Sequence, residues 1–221
     1  MLDYLLGLVA PHYCCGCDKI GEILCAHCKY NIVSEPFCVC VSCGRPCAVD
    51  NMCSLCKMPY SKAWLVGERT GILQRLIGNY KFNRVKSAYK PLGDLLLSRL
   101  PVLPANTVII PLPTTPGRMR ERGYDHMYLI ARYIAKKAGL KCQRLLIHKT
   151  NTKQRHASAY VREVQAKNAF EVVGVVDPDV PYLLIDDVIT TGATLKHASL
   201  ALKKAGARDV WVAVIAKQVS R

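Results

Sequence analysis

Residues 182–195 read YLLIDDVITTGATL, and this stretch decides the fold. Tyr182–Ile185 is a continuous apolar run, as expected for a strand covered on both faces. Asp186 and Asp187 follow, then Val188 and Ile189, then the small residues Thr190-Thr191-Gly192-Ala193-Thr194. Residues 193–205 (ATLKHASLALKKA) place Leu195, Ala198, Leu202 and Ala205 on one helical face, and Gly206 supplies a C-cap. Residues 210–216 (VWVAVIA) form another buried strand. Strand, turn, helix, strand is a βαβ unit, so the sheet is parallel. The predicted turn over 186–194 lies at the carboxyl end of a strand and opens a helix. Open α/β sheets bind ligands there.

The residue types in the turn define a ligand. Small residues let backbone N–H groups and hydroxyls converge on an anion, helped by the helix N-terminus. Two adjacent carboxylates suit diol hydroxyls, with or without a divalent cation nearby. A phosphate and a diol on one ligand describe a ribose 5-phosphate. As mere caps, with Thr191 or Thr194 at the helix N-cap, two acids and three threonines around a glycine would be superfluous.

Working outward, residues 107–113 (TVIIPLP) read as a short buried strand stopped by proline, and residues 126–138 as a helix closed by Gly139. Charge is segregated. Of 31 Lys and Arg in the 221-residue chain, 18 lie between residues 81 and 167 against four acids, a net of +14. Residues 1–60 carry a net of −1, and residues 168–221 are neutral. With 51% apolar residues the chain can bury a core, which excludes a disordered protein. No apolar run approaches the length of a membrane-spanning helix. Met1–Ala10 is apolar but short, and Asp3 stands where a signal peptide would carry a base. A core or docking segment is expected there, in a cytoplasmic chain with reduced thiols.

Eleven of the 12 cysteines precede residue 57. Eight form C-x-x-C pairs: Cys14–Cys17, Cys25–Cys28, Cys40–Cys43 and Cys53–Cys56. Two residues between thiolates make a turn that aims both sulfurs at one ion, and tetrahedral zinc takes four such ligands. Four pairs suffice for two structural zinc sites with no open position for substrate. Sequential pairing is the simplest; a crossed pairing satisfies the count as well. Disulfides and an iron–sulfur cluster are the competing uses of these thiols. Cys15, Cys38 and Cys47 are left over, and Cys142 reads as an ordinary core thiol. A metal-held head over residues 1–60 and an α/β domain over 61–221 are expected.

Residues 182–195 resemble the phosphoribosyl-pyrophosphate signature of type I phosphoribosyltransferases. The whole chain is similar to the ComF family of competence-associated proteins. Four C-x-x-C pairs come first. Then follow Tyr80-Lys81-Phe82, Pro111-Leu112-Pro113, Arg118-Met119-Arg120-Glu121-Arg122-Gly123-Tyr124, Thr152-Lys153-Gln154-Arg155 and Asn168-Ala169-Phe170, ahead of the signature. Where the family usually shows Asn-Gln, this chain has Asp125-His126, a departure that touches local substrate contacts and not the fold.

The resemblance implies a type I phosphoribosyltransferase-like parallel sheet flanked by helices, with an N-terminal double zinc ribbon. Asp186 and Asp187 would hold the ribose 2- and 3-hydroxyls. Thr190, Thr191, Gly192, Ala193 and Thr194 would cradle the 5-phosphate. The turn through Pro111, Leu112, Pro113, Thr114 and Thr115 would be the pyrophosphate loop, and a flap over about 149–169 would close the site. Magnesium would bridge pyrophosphate and ribose oxygens. Lys81, Arg118, Arg120, Arg122 and Arg155 are the cations available to a departing pyrophosphate, with Arg118 and Arg122 the catalytic candidates. Gln154, His156 and Tyr160 are acceptor-contact candidates, and no motif names the acceptor.

Two functions stand side by side. One is a DNA-uptake protein of natural transformation that binds phosphoribosyl pyrophosphate with magnesium, and single-stranded DNA, alongside partners such as a helicase. The other is an active phosphoribosyltransferase on a small-molecule acceptor, with no DNA role. The +14 segment fits either a polyphosphate or a nucleic-acid backbone.

Overall fold

The apolar runs of the C-terminal half stand side by side in one parallel sheet. A computed structural model describes residues 12–34, 37–47, 50–148 and 169–218. The N-terminal segment Met1–Ala10, most of the expected flap, Arg155, Gln154, His156 and Tyr160 lie outside the described residues.

In chain order the elements are α1 (Ala26–Val33), β1 (Lys62–Glu68), α2 (Gly71–Lys81), a 3-10 turn (Lys86–Ala88) that runs into α3 (Tyr89–Leu97), β2 (Val108–Pro111), α4 (Pro116–Arg122), α5 (His126–Ala138), β3 (Lys141–Cys142), β4 (Leu146–His148), β5 (Phe170–Val172), β6 (Pro181–Ile189), α6 (Ala193–Lys204) and β7 (Asp209–Lys217). Five strands pair in the order β1-β7-β6-β2-β3, all parallel. β4 and β5 form a separate antiparallel pair. The expected α/β class and the βαβ unit of β6, α6 and β7 are what the chain forms.

The unbroken apolar run in β6 has a direct cause. Side chains alternate across a strand. Leu183 and Ile185, with Trp211, Ala213 and Ile215 of β7, enter the core beneath α2, α3 and α5. Tyr182 and Leu184, with Val210, Val212 and Val214, enter the core shared with α6 and the β4–β5 hairpin. All ten are at most 4% exposed. Truncating any large one, such as Leu184→Ala, removes about 2–5 kcal/mol.

β6 is longer than the sequence reading allowed. The apolar run stops at Ile185, where a turn was expected, yet pairing with β7 continues to Ile189↔Lys217. Asp186 and Asp187 therefore sit in the strand, past the last β2 pairing at Pro111↔Ile185. The arginine-rich segment is helical. It forms α4, with Pro116 in its first turn and Gly123 at φ 81° closing it.

The cysteine head is built from one loop used twice. Cys14 N donates to Lys19 O at 2.9 Å, and Cys40 N to Arg45 O at 2.8 Å. Tyr13 bridges Ile20, and Val39 bridges Pro46. Left-handed residues, Asp18 (φ 58°) and Gly44 (φ 76°), follow the second cysteine of each knuckle. Cys14, Ile23, Leu24 and Cys28 pack into the α2–α5 core, whereas Val41 and Tyr60 pack into the α6 core. The head thus reaches both faces of the sheet.

Candidate functional site

Connections leave β2 toward β3 and leave β6 toward β7, so strand order reverses between β2 and β6. In open α/β sheets ligands bind outside the carboxyl ends of the strands at such a switch point, and that position is termed the crevice. The Asp186–Thr194 segment and the Pro113–Thr115 turn face it from neighbouring strands.

Alternation along β6 places Asp187 on the side of Leu183 and Ile185, where α2 ends and α5 begins. Lys81, the last residue of α2, brings its Nζ to 2.8 Å from Asp187 Oδ2. His126, the first residue of α5, brings Nε2 to 2.8 Å from the same oxygen. Asp187 is 5% exposed. Burial pushes its carboxyl up, but the His126 contact and the Lys81 charge outweigh that and hold it well below the usual carboxylate range. Asp186 is half-buried. Burial and the adjacent Asp187 charge push its carboxyl well up, against the pull of Lys81 and Arg118. Two neighbouring acids are driven apart, a pattern common where acid–base or ligand chemistry is set up.

A polar web positions these groups. Thr114 Oγ1 lies 3.0 Å from both Asp125 Oδ1 and His126 Nδ1. Asp125 caps α5 by accepting from Tyr128 N at 3.2 Å. Tyr80 donates its hydroxyl to the His126 carbonyl at 2.7 Å. On the β2 side, His148 Nε2 donates to Pro113 O at 2.9 Å. Burial lowers the His148 pKa, against the opposing pull of the hydrogen bond to Pro113 O.

The arginines separate. Arg122 is buried at 7% exposure, with Nη1 2.9 Å from His126 Nδ1; it braces the imidazole. Arg118 and Arg120 are exposed. Thr190, Thr191, Ala193 and Thr194 are exposed around Gly192, the N-cap of α6 at φ 78°. Gly192 has no side-chain acceptor, and the first amide of α6, Ala193 N, donates to Thr191 Oγ1 at 3.4 Å. A Cβ on Gly192 would stand 3.4 Å from Ile189 Cδ1 and 3.7 Å from Ser42 Cα.

The cysteines group as Cys14, Cys17, Cys25, Cys28 and as Cys40, Cys43, Cys53, Cys56, the sequential pairing, with the sulfurs of each set within 4.8 Å of one another. Cys17 and Cys25 Sγ are 3.8 Å apart, and Cys43 and Cys53 Sγ 3.6 Å. A zinc ion with Zn–S near 2.3 Å requires S···S edges of about 3.8 Å, so both sets fit a tetrahedral ion. Every cysteine among the described residues is a free thiol. Burial pushes the Cys14 thiol up, but donation from the Cys25 and Gly16 amides brings it down to about 6, favouring the thiolate that binds metal. Cys15 is buried in the core with Asn79 Nδ2 at 3.3 Å. Cys142 lies half-buried on the edge strand β3, its thiol pushed up to about 11 by burial.

Three residues escaped the sequence reading. His126 had only its departure from the family pattern to mark it. Ser42 and Lys217 carried no signal, because only the folded chain shows which loop faces the end of β7.

The chain is 29% identical over 204 residues to Competence protein F of Haemophilus influenzae, covering 86% of this chain and 88% of that protein. It is 24% identical over 206 residues to Competence protein ComFC of Bacillus subtilis, covering 85% and 81%. The chain is a homologue of these competence proteins. DNA utilization protein YhgH of Salmonella typhimurium is a further relative, at 27% identity over 86% of this chain and 88% of that one. No family model matches the chain. Similar solved structures include the allosteric regulatory enzyme of purine biosynthesis, at 24% identity and a TM-score of 0.43. Glutamine phosphoribosylpyrophosphate amidotransferase from B. subtilis follows at 25% and 0.43. Each alignment covers 58% of this chain, and the chain spans about a quarter of each of those enzymes (25% and 26%). Among the described residues, no helix is long and apolar enough to cross a membrane.

Proposed function

We propose that the protein is a ComF-like factor of DNA uptake or utilization whose switch-point crevice binds phosphoribosyl pyrophosphate with magnesium. The observation that carries this reading is the placement of Asp186 and Asp187 just ahead of an exposed threonine loop and a helix N-terminus whose N-cap is Gly192, with Thr191 Oγ1 the side-chain acceptor on its first amide. The acids suit the ribose diol. The first-turn amides of α6 and the exposed threonines suit the 5-phosphate. Pro113 and Thr114 border the pyrophosphate position, and Lys81 supplies a cation beside Asp187. Magnesium, a hard cation, suits the carboxylate of Asp186 and ligand oxygens; when bound, it neutralises charge on the pyrophosphate. Zinc is proposed in the two four-cysteine sets, and the head is proposed as a unit of about residues 1–60.

Single-stranded DNA is the second ligand of this reading. A cavity of about 940 Å³ between the first knuckle and α3 is lined by Lys29, Arg84, Lys86, Lys90 and Tyr89, with the acids Glu22 and Asp94 also on its wall and Asp94 paired to Lys29 at 4.0 Å. Cations with an aromatic ring suit a single strand. Affinity for an oligonucleotide is expected to fall steeply with salt, and Lys86→Ala with Lys90→Ala to flatten that slope. A slope untouched by those changes argues against this groove.

Turnover is favoured by one feature, the unequal settings of two adjacent acids: Asp187 Oδ2 lies 2.8 Å from both Lys81 Nζ and His126 Nε2, and Asp186 has no ion pair among the described residues. A pyrophosphate-release screen over bases, amines and nucleotides tests it. Release with any acceptor makes the protein an enzyme; silence across the screen leaves binding as the function. The crevice itself is tested by calorimetry with phosphoribosyl pyrophosphate and magnesium.

A further inference from the structure

Lys217 ends β7, far from every motif in the sequence, and is 4% exposed. Its ammonium donates to Val41 O at 2.8 Å and lies 3.2 Å from Ser42 O. Both carbonyls belong to the turn between Cys40 and Cys43. The same nitrogen lies 3.4 Å from Thr190 O, the first residue of the loop before α6. Ser42 also packs on Gly192, as the 3.7 Å separation from a Cβ there shows. Two independent contacts therefore join the second cysteine knuckle to the ligand loop. The first knuckle has no such tie among the described residues; it meets α2, where Asn79 and Arg75 reach Cys15 and Gly16.

We infer that Lys217 is a positioning residue that couples metal at Cys40, Cys43, Cys53 and Cys56 to anion binding at Thr190–Thr194. The inference rests on reading that loop as the phosphate cradle. Four thiolates on a divalent zinc carry a net charge of about −2, and a buried ammonium held by the knuckle carbonyls compensates it. A loaded knuckle fixes Ser42 and Lys217, and they fix the Thr190 carbonyl and the backbone at Gly192. Without metal the knuckle loses its closure, and the loop loses one wall. Coupling of this kind is reciprocal: ligand on the loop must tighten the second metal site by the factor by which the metal tightens the ligand.

The test reads both directions on the full-length zinc-loaded protein. Alkylation is pulsed in the presence of a zinc-selective chelator that leaves magnesium bound, and each cysteine is quantified by mass spectrometry. Phosphoribosyl pyrophosphate with magnesium is expected to slow labelling of Cys43 and Cys53 about tenfold and to leave Cys17 and Cys25 unchanged. Lys217→Met is expected to abolish that protection and to weaken ligand binding about tenfold; Lys217→Gln, which keeps a donor for the carbonyls, restores part of both. The wild-type asymmetry needs no variant, so misfolding of Lys217→Met does not decide the matter. Saturable binding with equal protection of both clusters, or protection that persists in a folded Lys217→Met, overturns the coupling alone. Absence of saturable binding overturns the crevice reading and the coupling with it.

Discussion

The two cysteine knuckles share a backbone and a burial pattern but pack on different faces of the sheet. Gly16 and Ser42 occupy the same position, two residues after Cys14 and Cys40. At Gly16 a Cβ would stand 2.3 Å from Cys28 Sγ and 3.0 Å from Ile72 Cδ1, so only glycine fits. At Ser42 a side chain is tolerated, and it lies against Gly192 in the loop before α6. The left-handed position carries Asp18 in the first knuckle and Gly44 in the second, where a Cβ would press to 3.3 Å on Lys217 Cε. Both knuckles bury their first two residues and expose their second cysteine; the first packs on α2, and the second lies beside Lys217 and Gly192.

Breaking each knuckle in turn tests that division. Cys28→Ser is expected to have the largest effect. Cys28 is 2% exposed, and losing a metal closure there removes several kcal/mol of folding energy, read as a large drop in the urea midpoint. Cys56→Ser, at a half-buried site, should release one zinc, leave most of the stability, and weaken binding of phosphoribosyl pyrophosphate. Equal stability losses would erase the contrast. A smaller effect is expected from Gly16→Ala, about 1–3 kcal/mol from overpacking, together with a fall in zinc content toward one ion per chain. Ser42→Gly should leave zinc content unchanged.

Acid sharpens the comparison between crevice and knuckles. The folded pKa of Asp187 is depressed by His126 and Lys81 against its burial. Its stabilisation is therefore present above the unfolded carboxylate pKa near 3.9 and is lost as pH falls through the lower folded value. The melting temperature of the wild type should drop on acidification below about pH 4, and Asp187→Asn should remove part of that slope. An unchanged slope would place the ion pair outside the stability of the fold. The smallest effect is expected at His126→Gln, which keeps a donor toward Asp187 and shifts the melting temperature by only a few degrees.

Much of this was legible in the sequence because its causes are local. C-x-x-C spacing marked the eight cysteines that gather in two sets and left open which pairs join, and the run from Tyr182 to Thr194 marked a strand followed by a helix. Gly139 marked the end of α5. The boundaries that failed depend on tertiary pairing. β6 continues through Asp186 and Asp187 because β7 offers partners as far as Lys217, and no hydrophobic pattern records that. α4 was hidden because Arg118, Arg120 and Arg122 give a seven-residue helix no apolar stripe. His126 and Lys217 owe their roles to residues 61 and 27 positions away, Asp187 and Thr190, and spacing along the chain is silent about such pairs.

Calorimetry of the zinc-loaded protein with phosphoribosyl pyrophosphate and magnesium tests the central claim most directly. The wild type is expected to give saturable heat near one ligand per chain. Asp186→Ala with Asp187→Ala is expected to weaken binding by roughly 100-fold or more, since each hydrogen bond to a charged group is worth about 1.5–3 kcal/mol. Unchanged affinity in the double variant, or no saturable heat in the wild type, would contradict the assignment of the crevice.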